Sequence, residues 1–238
     1  MMPENERQLA ALIDQTELGL AVTRSDLEAF VARAVEKRFA AVCILPNMVA
    51  FARRITAGTQ TRVATVVSFP LGADVAEVKR AEARDALERG ADEIDMVIDV
   101  ASARMGDAAA ITREVRLVRE VLPEGALLKT IIEMPLLTAE QAVAAARAAE
   151  EGGAHFVKTS TGFKPLGIRG TNAEDVRLLR SVLRPETAIK AAGGVSSWPL
   201  VAAALAAGAT RIGTSSGLAI LAQFAAANAA PAAATSRA

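Results

Sequence analysis

The chain of 238 residues contains no tyrosine, one cysteine and one histidine, and aromatic residues make up only 3% of it. A single cysteine, Cys43, excludes an intramolecular disulfide framework and favours a reducing compartment such as the cytoplasm. Basic and acidic residues balance at 27 each, so the sequence offers neither the basic face nor the stacking aromatic residues of a nucleic-acid-binding protein. We therefore expect no nucleic-acid partner.

Long apolar runs are also missing. The stretch PLVAAALAAGA is too short to span a bilayer, and the polar start MMPENERQ lacks the apolar segment of a secretory signal. We therefore predict a cytoplasmic protein with no membrane partner. The alanine-rich segment 223–238 is low in complexity and is expected to be a disordered tail. It would follow a single domain over 1–222 that begins with a short helical segment.

Short β-branched segments alternate with amphipathic helical stretches through most of the chain. The predicted strands are 12–16, 41–46, 63–69, 93–99, 127–133, 156–161, 188–193 and 211–216. After the first, successive strands are separated by about the length of one βα unit, which favours an α/β protein with a closed (β/α)8 barrel. An open doubly wound sheet is the alternative, but no GxGxxG pattern follows the first strand.

Helix boundaries have recognisable signals. The segments Ser25–Glu28 and Thr138–Gln141 are predicted capping boxes. Gly90, Gly153 and Gly208 each follow a helical pattern and precede a strand, which is typical of the glycine that ends a helix.

Lysine is scarce, and its placement is the most informative feature of the sequence. The chain has six lysines, of which Lys129, Lys158 and Lys190 lie within apolar strand segments. Burying an ammonium costs several kcal/mol unless it is paired or loses its proton. One such lysine could extend its ammonium to water from the end of a strand, but three at similar positions make that reading weaker.

Asp95 and the three lysines fall on predicted strands four to seven, so a barrel would bring them to one mouth. Neighbouring ammonium groups oppose each other's protonation, and burial acts in the same direction. A neutral lysine is a nucleophile, and with a second lysine and a carboxylate to move protons it suits Schiff-base formation with a carbonyl substrate.

A second cluster of residues is typical of an anion site. Gly193 and Gly194 end the seventh strand, and Gly213 to Gly217 spell GTSSG at the start of the helix after the eighth. Backbone N–H groups at such positions bind phosphate in many barrels. The sequence thus indicates a phosphorylated carbonyl compound processed through an imine. No set of side chains has metal-ligand spacing, so we predict neither a metal nor another cofactor.

The segments LIDQTEL, AVCILP, VVSFPLGA, GADEIDMVID, LLKTIIE, FVKTSTGF, IKAAGGV and RIGTSSG run in order from residue 12 to 217. In these segments the chain resembles the 2-deoxyribose-5-phosphate aldolase family of class I aldolases. The resemblance implies a (β/α)8 barrel that reversibly cleaves 2-deoxy-D-ribose 5-phosphate to acetaldehyde and glyceraldehyde 3-phosphate without a metal. Related barrels are commonly dimers or tetramers, so a homo-oligomer is expected.

By position, the resemblance makes Lys158 the Schiff-base lysine, Lys190 the second lysine that perturbs it, and Asp95 the acid/base carboxylate. The supporting residues of the expected site are Asp14, Thr16, Cys43, Lys129 and Thr161. The phosphate-binding residues implied are Gly162, Gly193, Gly194, Gly213, Ser215 and Ser216.

The chain departs from the family pattern at several positions. Gln15 replaces a common histidine, Met134-Pro135 replaces a small pair, and no tyrosine is available for the C-terminal role that many members give to one. Phe163 stands where one branch has a phosphate-binding lysine, which makes Lys164 or Arg169 the candidate replacement.

Other polar residues are open to a structural reading. His155 precedes the sixth strand at the end opposite the mouth, so it is expected to be structural. Asp92 and Glu93 are assigned to a strand start, whereas strand alternation would turn Glu133 inward. Two alternatives stay open: an aldolase that acts on another phosphorylated aldol, and a phosphate-binding barrel without catalysis.

Overall fold

The computed structural model describes residues 2–163, 167 and 169–229, which form a closed barrel of eight parallel strands surrounded by helices. The strands are β1 Ile13–Glu17, β2 Ala41–Ile44, β3 Arg62–Val67, β4 Glu93–Val97, β5 Leu127–Ile131, β6 Phe156–Lys158, β7 Ala188–Ala192 and β8 Arg211–Thr214. Neighbours pair in sequence order, and β8 returns to pair with β1. The predicted (β/α)8 barrel and its eight strands are therefore confirmed, and the open sheet is wrong.

Helices cover the outside of the barrel. They are α1 Glu6–Ala10, α2 Arg24–Glu36, α3 Val49–Thr56, α4 Ala76–Glu88, α5 Val100–Met105, α6 Ala108–Arg119, α7 Ala139–Glu151, α8 Ala173–Val182, α9 Trp198–Ala206 and α10 Gly217–Ala229. α1 precedes the barrel and packs against α10. None of the helices within the described residues is long and apolar enough to cross a membrane.

The barrel has two layers of buried side chains because successive residues of a strand point to opposite faces. The outward-facing set packs beneath the helices as the main apolar core, with members on most strands: Val42, Val63, Ile94, Leu128, Val157, Ile189 and Ile212. The inward-facing set of β2 and β3 forms a separate small apolar cluster: Ala41, Cys43, Ala64 and Val66. The apolar burial that drives folding therefore lies mainly outside the sheet, and the rest of the interior holds polar groups.

Two of the predicted helix signals are confirmed and one is wrong. Thr138 and Gln141 form a capping box at the start of α7, and the three predicted glycines follow α4, α7 and α9 with φ of 102°, 95° and 111°. At α2 the capping box is instead Thr23 with Asp26. Thr23 is extended (φ −82°, ψ 167°), whereas Ser25 already belongs to the helix, so only Thr23 can accept from the backbone N–H of Asp26.

The expected end of the single domain at 222 falls within helix α10. Helix α10 continues to Ala229 because Phe224 is buried and packs edge-on against Trp198, with ring centroids 4.8 Å apart. The side chain of Gln223 also accepts a hydrogen bond from the backbone N–H of Trp198, at 2.8 Å. The remainder of the expected tail, 230–238, lies outside the described residues.

Gly72, in the loop after β3, allows a close approach of two backbone segments. Its φ is 67°, and a Cβ there would lie 1.9 Å from the carbonyl oxygen of Ile98. Gly58 provides a matched control, since its φ is 75° and a Cβ would have no neighbour within 4 Å. We expect Gly58→Ala to cost about 1 kcal/mol from the left-handed backbone alone, which is about 2–4 °C in the thermal midpoint.

Gly72→Ala must also displace a carbonyl, so we expect its midpoint to fall by at least about twice as much as that of Gly58→Ala. Scanning calorimetry of both variants beside the unmodified protein measures the difference. Equal shifts in the two variants would contradict the close approach.

Candidate active site

Most of the barrel interior is filled by ionisable side chains rather than by apolar ones. Six of the eight strands contribute them: Asp14 from β1, Glu93 and Asp95 from β4, Lys129 from β5, Lys158 from β6, Lys190 from β7 and Arg211 from β8. All are buried except Arg211, whose side chain is 14% exposed. Burial on this scale requires every charge to have a partner of opposite sign.

Asp95 is the centre of this network, and it contacts all three strand lysines. Its Oδ2 accepts from the Nζ of Lys158 at 2.7 Å and from the Nζ of Lys190 at 2.6 Å, and its Oδ1 accepts from Lys129 at 2.6 Å. The register explains the last contact, because Asp95 is paired directly with Lys129 across β4 and β5. The structure thus brings together the four residues that the sequence placed on neighbouring strands.

Asp14 and two residues missed by the sequence analysis extend the network. Asp14 accepts from Lys190 at 2.5 Å and from Arg211 at 2.6 Å. Glu93 lies 2.6 Å from Lys129 and 3.2 Å from Arg211, so its assignment to the strand start alone is wrong. Strand alternation could have found both missed residues. Glu93 lies two positions before Asp95, and Arg211 lies two before Gly213.

The balance between burial and pairing differs among the three lysines. Burial lowers the pKa of Lys129 and of Lys190, but nearby carboxylates outweigh it and the net shift is upward for both. Burial also lowers the pKa of Lys158. Asp95 opposes that shift and Lys190 adds to it, so the pKa stays below its ordinary value. Lys158 is therefore the strand lysine that loses its proton most readily.

Asp95 and Asp14 remain anions in this setting. Burial raises the pKa of each, but the surrounding lysines, joined at Asp14 by Arg211, outweigh burial and hold it below the usual range. Burial likewise raises the pKa of the Cys43 thiol, which favours the protonated, unreactive form. Within the part of the chain that the structure describes, no group of three or more His, Cys, Asp or Glu side chains could hold a metal ion.

Lys158 also faces a cavity at the C-terminal end of the barrel, of about 400 Å³. In the strand register Lys129 pairs with Phe156, whereas Lys158 pairs with Ile131, two positions nearer the C-terminal end. The cavity is lined by Lys158 but by neither Lys129 nor Lys190. Its wall also includes two of the expected supporting residues, Thr16 and Thr161.

The glycine-rich loops after β6, β7 and β8 also line the cavity. We call Gly162, Gly193, Gly194, Ser215 and Ser216 the anion cradle. Its three glycines have φ of 69°, 91° and 78°, and a Cβ on Gly162 would lie 2.8 Å from the Cα of Gly193. Among the described residues, no acceptor is found for the backbone N–H groups of Gly193, Gly194 and Ser215. Exposed N–H groups of this kind suit an anion.

Gly213 also lines the cavity, but its position has a second consequence. A Cβ at this residue would lie 2.8 Å from Cε of Lys190. The missing side chain therefore makes room for the second lysine, a role that the phosphate reading of the sequence did not include.

Two hydrogen-bonded clusters fix the loops of the anion cradle. Gln15 accepts from the N–H of Gly217 at 3.0 Å and donates to the carbonyl of Ser215 at 3.2 Å. Thr159 and Thr171 contact each other through their hydroxyl groups at 2.8 Å, and both contact the carbonyl of Ala192. Gln15 thus holds the loop after β8, and the two threonines, which follow β6 and precede α8, are both linked to Ala192 of β7.

Glu133 has a supporting position next to this site. It is buried, has φ of 49°, and its two carboxylate oxygens each lie 3.2 Å from the N–H of Thr161. The inward orientation expected from strand alternation therefore corresponds to a contact with the loop after β6.

Other departures from the expected pattern have structural consequences. Arg169 forms two hydrogen bonds with the carboxylate of Asp175, at 2.6 and 2.7 Å, and does not line the cavity. Its expected role as the replacement cation is therefore not supported by its position, and Lys164 lies outside the described residues. Phe163 packs against Phe69 at 6.3 Å on the cavity wall, and His155 accepts from the N–H of Leu128, as a structural histidine would.

The chain is similar to known aldolases over nearly its whole length. Residues 8–223 match the family model described as DeoC/LacD family aldolase. A deoxyribose-phosphate aldolase of Clostridium perfringens is 41% identical over 91% of this chain and 95% of the relative. One from Thermococcus gammatolerans is 44% identical over 90% of this chain and 95% of the relative.

Solved structures agree with these relatives. The tetrameric deoxyribose phosphate aldolase of Aeropyrum pernix superposes with a TM-score of 0.82 at 30% identity, over 92% of each chain. The fold, the site and the relatives together lead to one conclusion: this chain belongs to the DeoC/LacD family of aldolases.

Proposed function

We propose that this aldolase reversibly cleaves 2-deoxy-D-ribose 5-phosphate to acetaldehyde and D-glyceraldehyde 3-phosphate through an imine on Lys158. The observation that carries the proposal is the position of Lys158. It faces the cavity, it shares its single carboxylate oxygen with Lys190, and its pKa is lowered by burial. The choice of substrate follows the relatives described above, which are named deoxyribose-phosphate aldolases.

The reaction needs an uncharged amine first. The nitrogen of Lys158 attacks C1 of the open-chain sugar, and loss of water with uptake of one proton gives a protonated imine. Removal of the proton from the C3 hydroxyl then breaks the C2–C3 bond. The C3 oxygen becomes the aldehyde of glyceraldehyde 3-phosphate, which leaves, and the electrons of the broken bond move to the imine nitrogen to give an enamine on Lys158. Protonation of the enamine at C2 and hydrolysis release acetaldehyde and restore the lysine.

Assistance with proton transfer is assigned to Asp95 and Lys190. Lys190 and Lys158 donate to the same oxygen of Asp95. A proton that leaves one of the two amines therefore has a hydrogen-bonded route through Asp95 to the other amine. Because the chain has no tyrosine, we assign this task to residues of the barrel interior rather than to a tyrosine of the tail.

The anion cradle is the proposed site of the substrate phosphate. The backbone N–H groups of Gly193, Gly194 and Ser215 have no acceptor among the described residues, and these residues line the same cavity as Lys158. Among the described lining residues the charged side chains are Lys158 and Glu17, so the cradle would bind phosphate mainly through backbone dipoles and hydroxyl groups.

The remaining proposals concern surroundings rather than chemistry. We propose a homo-oligomer, by analogy with the tetrameric relative, and a cytoplasmic location, because the single cysteine is buried and unpaired. The proposed chemistry uses side chains alone and calls for no cofactor.

Borohydride trapping with acetaldehyde tests the imine. We expect reduction to leave an ethyl group on Lys158, located by peptide mass spectrometry, because its amine is the one that is both accessible and easily deprotonated. Lys158→Ala should lose the adduct completely, whereas Lys37→Ala, at an exposed lysine on the outside of the barrel, should retain it. An adduct that survives in Lys158→Ala, or no adduct in the unmodified protein, would sink the proposed mechanism.

A charge placed in the anion cradle tests phosphate binding separately from imine chemistry. We expect Ser215→Asp to raise KM for 2-deoxyribose 5-phosphate about tenfold or more, which corresponds to about 1.4 kcal/mol of like-charge repulsion. Acetaldehyde carries no phosphate, so its trapping on Lys158 should change by less than about twofold.

The matched control is Ser181→Asp, at an exposed serine on α8. It adds the same charge far from the cavity and should leave KM unchanged. If both variants raise KM equally, or if Ser215→Asp weakens acetaldehyde trapping as much as it weakens turnover, the phosphate assignment is wrong.

A further inference from the structure

The barrel interior has an uneven count of charges when all its groups carry their ordinary ones. Its cations are Lys129, Lys158, Lys190 and Arg211, and its carboxylates are Asp14, Glu93 and Asp95. One positive charge is therefore in excess. Loss of one proton from a lysine makes the interior neutral, and a buried site strongly favours neutrality.

Contacts decide which amine gives up the proton. Lys129 lies within 3.4 Å of three carboxylates, and Lys190 contacts two. Lys158 contacts a single carboxylate oxygen, and it shares that oxygen with Lys190. The excess is therefore relieved at Lys158, the amine that faces the cavity.

Arg211 creates the excess. Its guanidinium lies 2.6 Å from Asp14 and 3.2 Å from Glu93, and the ring of Phe156 covers it at 5.4 Å. Arginine stays protonated in proteins, so this charge cannot be removed by a local proton shift. Arg211 is linked to Lys158 through a chain of contacts that passes from Asp14 to Lys190 to Asp95.

We propose that Arg211 is a positioning residue for this reaction: its permanent buried charge occupies Asp14 and Glu93 and thereby keeps Lys158 as the uncharged amine of the barrel. The inference rests on the proposed function, because it explains how the nucleophile of that reaction is prepared. Arg211 acts through other residues, and it does not line the cavity.

The ionisable groups around Lys158 come from every side of the interior. They are Asp14 on β1, Glu17 at the end of β1 on the cavity wall, Cys43 on β2, Arg62 at the start of β3, Glu93 and Asp95 on β4, Lys129 on β5, Lys190 on β7 and Arg211 on β8. Arg62 is the informative comparison, since it also contacts Glu93, at 3.3 Å, but its side chain is 39% exposed. Water screens the charge of Arg62, whereas that of Arg211 is enclosed.

Competitive acetylation of lysines over a pH series, read by peptide mass spectrometry, measures the uncharged fraction of Lys158 without any aldehyde. In Arg211→Met the interior holds three carboxylates and three amines, so Lys158 should retain its proton. We expect the midpoint of Lys158 labelling to rise by at least about one pH unit, with labelling at neutral pH about tenfold slower. Arg211→Lys keeps a charge and should stay within about 0.3 unit of the unmodified protein.

Second-site and matched variants separate the charge from the packing. Arg211→Met combined with Glu93→Gln removes one charge of each sign and should return the midpoint toward that of the unmodified protein. Arg62→Met removes the exposed partner of Glu93 and should leave the midpoint unchanged. A folded Arg211→Met with an unchanged midpoint, or a double variant that shows no recovery, would overturn the proposal.

If Arg211→Met does not fold, Glu93→Gln alone still tests the proposal. It increases the excess of positive charge, so the midpoint must fall, and an unchanged or higher midpoint overturns the proposal. Trapping with acetaldehyde distinguishes failure of this inference from failure of the proposed function. A protein that forms the imine but shows none of these shifts keeps its proposed function and loses this inference, whereas one that shows the shifts but forms no imine loses the proposed function.

Discussion

The shared Asp95 oxygen is the interaction on which the rest of the site depends. Lys158 and Lys190 donate to one oxygen, at 2.7 and 2.6 Å, so two positive charges there would repel each other in a medium that water barely reaches. If Asp95 were withdrawn, both lysines would be left in the interior without their common partner. Asp14 also accepts a hydrogen bond from Lys190 and stabilises its positive charge. The repulsion therefore favours loss of a proton from Lys158 rather than from Lys190.

The geometry of the barrel makes this arrangement possible. Short side chains on β2 and β3 and the absence of a side chain at Gly213 leave room for long lysine side chains inside the barrel. The closed sheet excludes water from its interior, so a single carboxylate governs two amines that lie on different strands. In an open sheet the same side chains would meet solvent, and the coupling between them would be screened.

The strands and the three strand lysines could be predicted from the sequence because both depend on local patterns. A lysine within an apolar strand is conspicuous, and parallel strands bring such residues to one end. Glu93 and Arg211 were missed because each opens its strand at the end opposite the mouth, where function was not expected. Lys79, which is also buried, lies outside the strands. It lies on α4, where its contact with Glu114 on α6, at 2.6 Å, depends on helix packing that no strand pattern predicts.

The helix errors also follow from tertiary structure. Ser25 and Thr23 are both good capping residues, and only the backbone conformation decides between them. Residues 223–229 look like a featureless alanine-rich tail, yet Phe224 finds a partner in Trp198, distant in the sequence, and that contact extends α10. At this end of the chain, one aromatic contact determines where the helix ends, and the alanine-rich composition does not.

The division between inner and outer layers explains how the molecule tolerates its active site. Buried ion networks rarely contribute net stability, and apolar replacements are often more stable. Here the apolar core between sheet and helices supplies the folding energy, and the interior is left free for charges selected for reactivity. Strand β6 has three residues, and Lys158 is its last. The chain leaves the sheet directly after Lys158, so this amine alone of the three strand lysines lies at the boundary between the dry interior and the cavity.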